Sequence, residues 1–311
     1  MPARLDAAPY HVPARPLPPL RSNGFPLDMS AERLGWLVPS DPGTPLPALR
    51  AQYRAQGYLW LRGLLPPADV WAFRRHYLEA MRPSGLIAPT ADATEGVYAG
   101  GPEDGARSRQ ALQQLVRSPE YEAFCLSGPI VSFYEAFLGG PVHLHKRKLL
   151  RHTRPGDMHC TGAHYDLVYL RGGTDHLCTS WIPLGDTPVE MGGLLYLEGS
   201  DAFGRQLETA YGVRAADLSP EERVRAYNRH MATGWLTKDL PTLAADMGGR
   251  WLVADYEAGD MVVHSPYMIH AASMNVDPRG RIRLSTDIRF QRAADPIDER
   301  WQNDWSFDDG L

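Results

Sequence analysis

A histidine and an aspartate two residues apart, His164 and Asp166, are the side chains in this sequence that most directly suggest metal chemistry. In a β-strand, residues i and i+2 point to the same face of the sheet. Tyr165 and residues 167–170 are aromatic, aliphatic or β-branched and favour a strand. One imidazole and one carboxylate on one face supply two of the three ligands of a 2-His-1-carboxylate iron site, which leaves open positions for oxygen chemistry. A tripeptide alone is a weak signal, so the chain must supply a third ligand elsewhere.

Two later histidines could complete such a site. His264 ends a short apolar stretch that follows the turn signal Gly259-Asp260. Pro266 interrupts this strand because it cannot donate a ladder hydrogen bond, so the alternation of side chains cannot be counted across it. His270 begins the next ordered stretch. Both histidines are candidates on this reasoning.

Residues 281–290 form a strand-like stretch with a polar side chain at every second position. The side chains that would share one face are Arg281, Arg283, Ser285, Asp287 and Arg289. A guanidinium group pairs with a carboxylate through two parallel hydrogen bonds, so an arginine that points inward beside the metal could anchor an organic diacid. The alternative interpretation is the solvated face of an edge strand.

Composition excludes several classes of protein. The 311 residues are 43% hydrophobic and 22% charged, which is typical of a soluble globular protein, and no apolar run is long enough to cross a membrane. A net charge of −5 gives no electrostatic reason to expect nucleic acid as a partner. The three cysteines, Cys125, Cys160 and Cys178, form no CxxC pair, which argues against a disulfide scaffold. With no secretory signal in view, we expect a cytoplasmic protein with small, buried thiols.

The N-terminal part of the chain reads as helical. Residues 1–28 are rich in proline and predict an extended arm that either wraps the domain or stays disordered. The predicted helices are Leu46–Gln56, residues 66–81, Ser108–Val116 and Ile130–Leu138. Residues 83–105 form a long loop, and loops of this length are often lids or binding loops.

From Pro141 onward the pattern changes to short strands separated by turn signals, which predicts an antiparallel sandwich, barrel or jelly roll. We therefore predict an α+β fold with a mainly β core, in a single domain over residues 29–311. Its helical part covers about 46–138, and its β core covers about 141–200 and 250–292. Residues 201–250 are an insert, with a helix at Pro220–His230, that we expect outside the β core and that could also carry specificity.

The constellation resembles the phytanoyl-CoA dioxygenase family over residues 56–291. The matching elements, in the family's order and near its spacing, are His164-x-Asp166, Trp181, Gly192-Gly193-Leu194, Glu198-Gly199-Ser200, Gly259-Asp260, His270, Asn275 and Arg281. The resemblance implies a double-stranded β-helix, that is, a jelly roll. It also implies iron(II) as the metal, with 2-oxoglutarate and dioxygen as cosubstrates.

Transferred residue by residue, the resemblance makes His164, Asp166 and His270 the iron ligands. His264 remains the rival of His270, because it stands where the family usually has an apolar residue. The family often has Gly-Ser directly after the distal histidine, and this sequence has Ala271-Ala272. One hydroxyl contact to the cosubstrate is therefore expected to be missing.

The resemblance also assigns the cosubstrate pocket. Arg281 matches the arginine that pairs with the distal carboxylate of 2-oxoglutarate, and Arg283 is its nearest competitor. Trp181 matches an aromatic residue of the same pocket. Lys146 falls where the family has another side chain that contacts the cosubstrate, although a lysine in an alternating strand more often faces water.

The activity implied is hydroxylation of an unactivated C–H bond in a small organic substrate, with release of succinate and carbon dioxide. Related halogenases have a small residue at the position of Asp166, so the carboxylate favours hydroxylation over halogenation, while desaturation and ring formation stay open as alternatives. The alternatives are a non-catalytic jelly-roll protein that binds a metal or ligand, and a zinc hydrolase that uses the same ligands. The sequence does not specify the substrate or the oligomeric state.

Overall fold

Helices precede strands in the structure, a computed structural model that describes residues 15–225 and 234–309. The helices are α1 (Leu46–Gln56), α2 (Pro67–Met81), α3 (Gly105–Val116), α4 (Pro119–Cys125), α5 (Gly128–Leu138), α6 (Leu167–Leu170), α7 (Ser200–Arg214), α8 (Pro220–Arg225) and α9 (Leu240–Asp246). The strands are β1 (Arg21–Ser22), β2 (Phe25–Pro26), β3 (Leu34–Trp36), β4 (Tyr58–Leu61), β5 (Val142–Leu144), β6 (Leu149–Thr153), β7 (Cys178–Pro183), β8 (Leu194–Leu197), β9 (Trp251–Val253), β10 (Met261–His264), β11 (His270–Ala272) and β12 (Arg283–Arg292). The α+β prediction with a mainly β core is confirmed.

Two sheets make up the core. The larger has the order β4-β10-β7-β12-β5, and β6 pairs with the same edge of β12 as β5 does. The smaller has the order β11-β8-β9-β3. Side chains from both sheets share one buried cluster, in which Trp60 and Val262 meet Leu194 and Leu252. The two sheets therefore pack face to face, as in a jelly roll.

The outer face of the larger sheet is covered by α1–α5. Leu284, Ile288 and Phe290 of β12 lie in the cluster that these helices complete. The ring of Tyr134 on α5 stacks on Phe290 with centroids 4.5 Å apart. Because side chains alternate along a strand, the odd-numbered residues of β12 face the space between the sheets.

Local signals at helix ends account for most of the helical predictions. The predicted bounds of α1 are confirmed, and the helix ends where Gly57 adopts a left-handed φ of 78°. The helix predicted over residues 66–81 is confirmed as α2. Helix α4 was not predicted, although Ser118 caps it by accepting a hydrogen bond from the Tyr121 amide.

The strand predicted around the His164 motif is wrong beyond His164. Ala163 and His164 form bridges to Thr237 and His270, but Asp166 has helical torsion angles (φ −69°, ψ −30°) and precedes the short helix α6. Periodicity cannot separate a buried strand from a buried helical turn in a short apolar run, and residues 167–170 are such a run.

The insert and the N-terminal arm both contact the core. The described part of the insert contributes no strand to either sheet, and its Leu236 amide donates to the carbonyl oxygen of Ala163 at 2.7 Å. The rest of its predicted helix, residues 226–230, lies outside the residues that the structure describes. In the described part of the arm, Leu20 and Leu27 are buried and Arg15 forms ion pairs with the body of the protein.

The three cysteines are free and buried, as expected. Within residues 15–225 and 234–309, no helix is long and apolar enough to cross a bilayer.

Two glycines of α7 give a matched test of how the insert packs. A Cβ atom at Gly204 would lie 2.0 Å from the carbonyl oxygen of Tyr267, whereas one at Gly212 would meet nothing within 4 Å. We expect Gly204→Ala to lower the free energy of unfolding by about 3 kcal/mol through overpacking. Gly212→Ala should raise it by about 0.5–1 kcal/mol through helix propensity. Equilibrium denaturation measures both, and equal effects would contradict the packing of α7.

Candidate metal centre

Three side chains from separate elements converge between the sheets. His164 comes from the bridge before α6, Asp166 from the turn that follows it, and His270 from the start of β11. Each offers a ligand atom, and these atoms lie within 4.8 Å of one another. His164 and His270 exchange backbone hydrogen bonds of 2.9 and 3.1 Å, which fixes the two imidazoles side by side. The three residues supply the ligand set of a 2-His-1-carboxylate site.

The backbone determines which nitrogen of each imidazole faces the centre. Nδ1 of His164 lies 2.9 Å from the carbonyl oxygen of Gly162, and Nδ1 of His270 lies 2.9 Å from that of Met268. Since a carbonyl oxygen only accepts, each Nδ1 must carry the proton and donate. Each Nε2 is then an unprotonated donor atom for a metal, held in place by its own backbone bond.

The two oxygens of Asp166 have different environments. Oδ1 lies 3.7 Å from Nε2 of His164 and 3.7 Å from Nε2 of His270. Oδ2 accepts a hydrogen bond of 2.5 Å from the Thr179 hydroxyl and one of 3.2 Å from Nη2 of Arg289. One oxygen is thus free to bind a metal while the other is held by protein donors, which favours monodentate coordination.

The surroundings of the triad shift the pKa values of its three side chains toward the protonation states that bind a cation. Burial lowers the pKa of His164 and lowers that of His270 strongly. Burial would raise the pKa of Asp166, yet Arg289, His264 and His270 hold it well below its ordinary value. Neutral imidazoles and an ionised carboxylate are the protonation states that metal binding requires.

His264, the predicted rival of His270, lies beside the centre. Its ring centroid is 4.4 Å from that of His270, and its Nε2 is 3.6 Å from Oδ2 of Asp166. Its Nδ1 is 2.7 Å from the hydroxyl of Tyr196. His264 therefore faces the oxygen of Asp166 that points away from the other two histidines, and it packs behind the triad.

A small cavity of about 50 Å³ opens at the triad. Its walls include Arg151, Thr161, Trp181, Arg283, Asp287 and Arg289. A second cavity of about 280 Å³ shares Arg151, Thr161, Ala272 and Arg283 with the first. Its outer wall includes Leu112, Trp305 and Phe307. Neither cavity is lined by residues 83–105 or by the described part of 201–250, the two segments in which we expected specificity.

The two candidate arginines lie in different places. Arg281 precedes β12, and its guanidinium is held by Asp277 at 2.8 Å, against a separate cavity. Arg283 lines the metal cavity, is 6% exposed, and hydrogen-bonds to the hydroxyls of Ser285 and Thr153. Among the described residues Arg283 has no carboxylate within ion-pair distance, and its Nε has no partner. The turn before β12 thus directs Arg281 away from the site that the resemblance assigned to it.

The structure also places the other two predicted residues. Trp181 is buried on the wall of the metal cavity, with its ring centroid 4.8 Å from that of Tyr256. Lys146 lies on the surface, where its side chain is 55% exposed and 3.8 Å from Asp304. Lys146 is therefore not brought to the cavity, because the chain between β5 and β6 turns it outward.

Sequence reasoning missed Thr179 altogether and treated Arg289 only as one of several arginines on β12 that could anchor a diacid. Thr179 lies two residues before Trp181 on β7, so strand alternation would have placed both on the inner face. Arg289 belongs to the alternating set on β12, but only the fold shows that it reaches Asp166.

We expect Thr179→Val to weaken metal binding by about 10- to 100-fold with little change in fold, because it removes the 2.5 Å donor to Oδ2 of Asp166. Thr179→Ser keeps the hydroxyl and should restore the affinity. Titration of the metal-free protein with iron(II) under anaerobic conditions measures both variants. Equal affinities for the valine and serine variants would show that the hydroxyl does not orient the carboxylate.

Comparison with known proteins gives a consistent result. The model of the phytanoyl-CoA dioxygenase family (PhyH) matches residues 53–282. The 1-deoxypentalenic acid 11-beta-hydroxylase of Streptomyces exfoliatus is 25% identical over 263 residues, which cover 79% of this chain and 81% of the relative.

Solved structures share the fold. The non-heme alpha ketoglutarate dependent carbocyclase SnoK from nogalamycin biosynthesis is 21% identical, with a TM-score of 0.54 over 84% of this chain and 89% of SnoK. The epimerase SnoN, solved with Fe3+, alpha ketoglutarate and nogalamycin RO, is 20% identical, with a TM-score of 0.50 over 81% of this chain and 85% of SnoN. The jelly-roll prediction is confirmed, although the sheets formed by the described strands do not close into a barrel.

The family match covers most of the chain and includes the metal triad, and the cofactors expected from the sequence, iron(II), 2-oxoglutarate and dioxygen, are those of the family. The protein is therefore an oxygenase that belongs to the phytanoyl-CoA dioxygenase family.

Proposed function

We propose that the protein hydroxylates an unactivated C–H bond of a small organic molecule, with release of succinate and carbon dioxide. The observation that carries this proposal is the pairing of the His164–Asp166–His270 triad with a buried arginine, Arg283, that has no anionic partner among the described residues. A metal site alone would fit many functions. A metal site beside an unmatched buried cation fits a dianionic cosubstrate.

The triad would hold iron through Nε2 of His164, Nε2 of His270 and Oδ1 of Asp166. Three protein ligands would leave positions at the metal open for other ligands. When bound, iron supplies the redox chemistry that couples oxidation of the substrate to decarboxylation of 2-oxoglutarate. The chain's own task is to keep Asp166 monodentate, and the donors on its Oδ2 do so.

Arg283 would bind the distal carboxylate of 2-oxoglutarate. A buried cation without a partner is costly, so an anion that binds there recovers free energy. The hydroxyls of Ser285 and Thr153 hold the guanidinium in a fixed orientation before the ligand arrives. Trp181 closes the wall of the same cavity and would exclude water from it. We therefore move the role first given to Arg281 to Arg283.

Small molecules would reach the metal through the 280 Å³ cavity. It shares Arg283 and Thr161 with the metal cavity, and Trp305 and Phe307 lie on its outer wall. Its mixture of aromatic, aliphatic and polar walls suits a compact organic substrate. We expect such a substrate, without nucleic acid, in the cytoplasm, where the three buried thiols would stay reduced.

One experiment tests the function directly. Anaerobic addition of iron(II) and then 2-oxoglutarate should produce a metal-to-ligand charge-transfer band. Exposure to air with a panel of metabolites should then give substrate-dependent succinate and a product with one added oxygen atom. A non-catalytic binding protein would give no succinate with any metabolite, and a zinc hydrolase would not give the band.

A further inference from the structure

A second buried arginine at the metal cavity is incompletely paired. Arg289 is 5% exposed and lines the cavity at the triad. Its Nη2 donates to Oδ2 of Asp166 at 3.2 Å. Its Nε and Nη1 have no hydrogen-bond partner among the described residues, although both are buried. Buried guanidinium groups rarely leave two nitrogens unsatisfied, which points to an absent ligand.

The guanidinium of Arg289 is also held in a fixed plane. It stacks on Trp301, with its central carbon 4.5 Å from the ring centroid. Trp301 is in turn fixed by a hydrogen bond of 3.1 Å from its Nε1 to the carbonyl oxygen of Tyr169. Stacking covers one face of the guanidinium and leaves its in-plane N–H groups available, which is the geometry that recognises a carboxylate.

The charges around the cavity do not balance. Three arginines, Arg151, Arg283 and Arg289, face two carboxylates, Asp166 and Asp287, so the walls carry one excess positive charge. The ligand histidines are neutral when they bind a metal. Iron(II) would add two positive charges and 2-oxoglutarate would remove two. One positive charge therefore remains unmatched in the loaded site.

Arg289 lies far along β12 from Arg283, the residue proposed to bind 2-oxoglutarate. Arg289 lies six residues beyond Arg283 on β12, so their Cα atoms are about 20 Å apart along the strand. Arg151 is paired with Asp287 at 3.0 Å and its side chain is 49% exposed, so water can satisfy its other N–H groups, whereas those of Arg289 are buried. Arg289 is thus the cation left for a second anion.

We propose that Arg289 binds an anionic group of the substrate itself, and that the substrate is a compact organic monocarboxylate. This inference rests on the proposed function, since it assumes that iron(II) and 2-oxoglutarate occupy the same site. Arg289 would keep its contact with Asp166 through Nη2 and would donate to the substrate carboxylate from one of its unpaired nitrogens, Nε or Nη1. That contact would orient the substrate relative to the metal ligand beside it.

The test compares two probes of the same shape and different charge. Cyclohexanecarboxylate and cyclohexanecarboxamide are titrated into the anaerobic protein loaded with iron(II) and 2-oxoglutarate, and binding is followed by calorimetry. We expect the carboxylate to bind at least about tenfold more tightly than the carboxamide, as for hydrogen bonds to a charged group. Equal affinities, including no binding of either probe, would overturn the proposal.

Variants of the two arginines show which of them causes the preference for the carboxylate probe. Arg289→Gln should abolish the preference for the carboxylate, whereas Arg283→Gln should keep it and weaken 2-oxoglutarate binding instead. If Arg289→Gln does not fold, Arg289→Lys retains the charge without the planar fork and should show a reduced preference. An unchanged preference in the Arg289 variants would overturn the proposal. The proposal would also be overturned if Arg289→Gln and Arg283→Gln weakened 2-oxoglutarate binding equally, because Arg289 would then bind the cosubstrate and not the substrate.

The same samples separate this inference from the proposed function. If the charge-transfer band with 2-oxoglutarate does not form in the wild-type protein, the proposed function is wrong. If the band forms and the probes bind equally, the function stands and only the role of Arg289 is wrong.

Discussion

Asp166→Ala is expected to lose iron binding and succinate formation together. The substitution removes the only carboxylate of the triad, and with it the oxygen that lies 3.7 Å from both histidine donor atoms. Loss of residues that merely orient a ligand costs about 10- to 100-fold in metal affinity, so loss of the ligand itself should cost more than about 100-fold. Iron(II) titration and succinate release under saturating iron measure the two effects separately.

The same substitution should also affect stability, because it leaves Arg289 buried without its carboxylate partner. Removal of one partner of a buried ion pair lowers the free energy of unfolding by about 3–5 kcal/mol. Asp166→Asn keeps the shape and an acceptor for Thr179, so it should lose metal binding with a smaller loss of stability. Asp41→Ala, in an exposed turn, is the matched control and should change neither property. Wild-type succinate formation by Asp166→Ala with the true substrate would exclude Asp166 as a ligand.

Arg283→Gln is expected to raise the 2-oxoglutarate requirement by about 10- to 100-fold, because a hydrogen bond to a charged group contributes about 1.5–3 kcal/mol. Arg281→Gln is the matched control, two residues away on the same segment. Its guanidinium is occupied by Asp277 in a separate cavity, so its apparent affinity for 2-oxoglutarate should equal that of the wild type. Titration of the charge-transfer band compares the two variants without requiring a substrate.

Stability gives a second, independent readout for Arg283. Burial lowers the pKa of its guanidinium to about 10, so at neutral pH the bound proton destabilises the folded state relative to the unfolded chain. Arg283→Gln removes this cost and should not lower the unfolding free energy of the metal-free protein. A loss of stability with unchanged 2-oxoglutarate binding would show a structural role for Arg283. If Arg281→Gln weakened 2-oxoglutarate binding without a loss of stability, Arg281 would be the residue that binds the distal carboxylate of 2-oxoglutarate.

Local patterns predicted those features that depend on neighbouring residues. The end of helix α1 followed from Gly57, and the shared face of the β12 arginines followed from strict alternation. The prediction failed at residues 167–170, where a short apolar run fits a buried strand and a buried helical turn equally well. It also failed for Lys146, which a turn between two strands directs to the surface.

The sequence by itself determined the ligand types, the order of the elements and the family, because these depend on residue identity and spacing along one chain. Only the tertiary structure decided which of Arg281 and Arg283 lines the cavity at the triad. Asp277 holds Arg281 outside while β12 begins at Arg283, and that division depends on pairing with β6, which is more than a hundred residues away in the chain. Likewise, the two oxygens of Asp166 have different environments only because Thr179 on β7 and Arg289 on β12 both donate to one of them. Contacts between distant segments arise from packing, and spacing along the chain does not encode them.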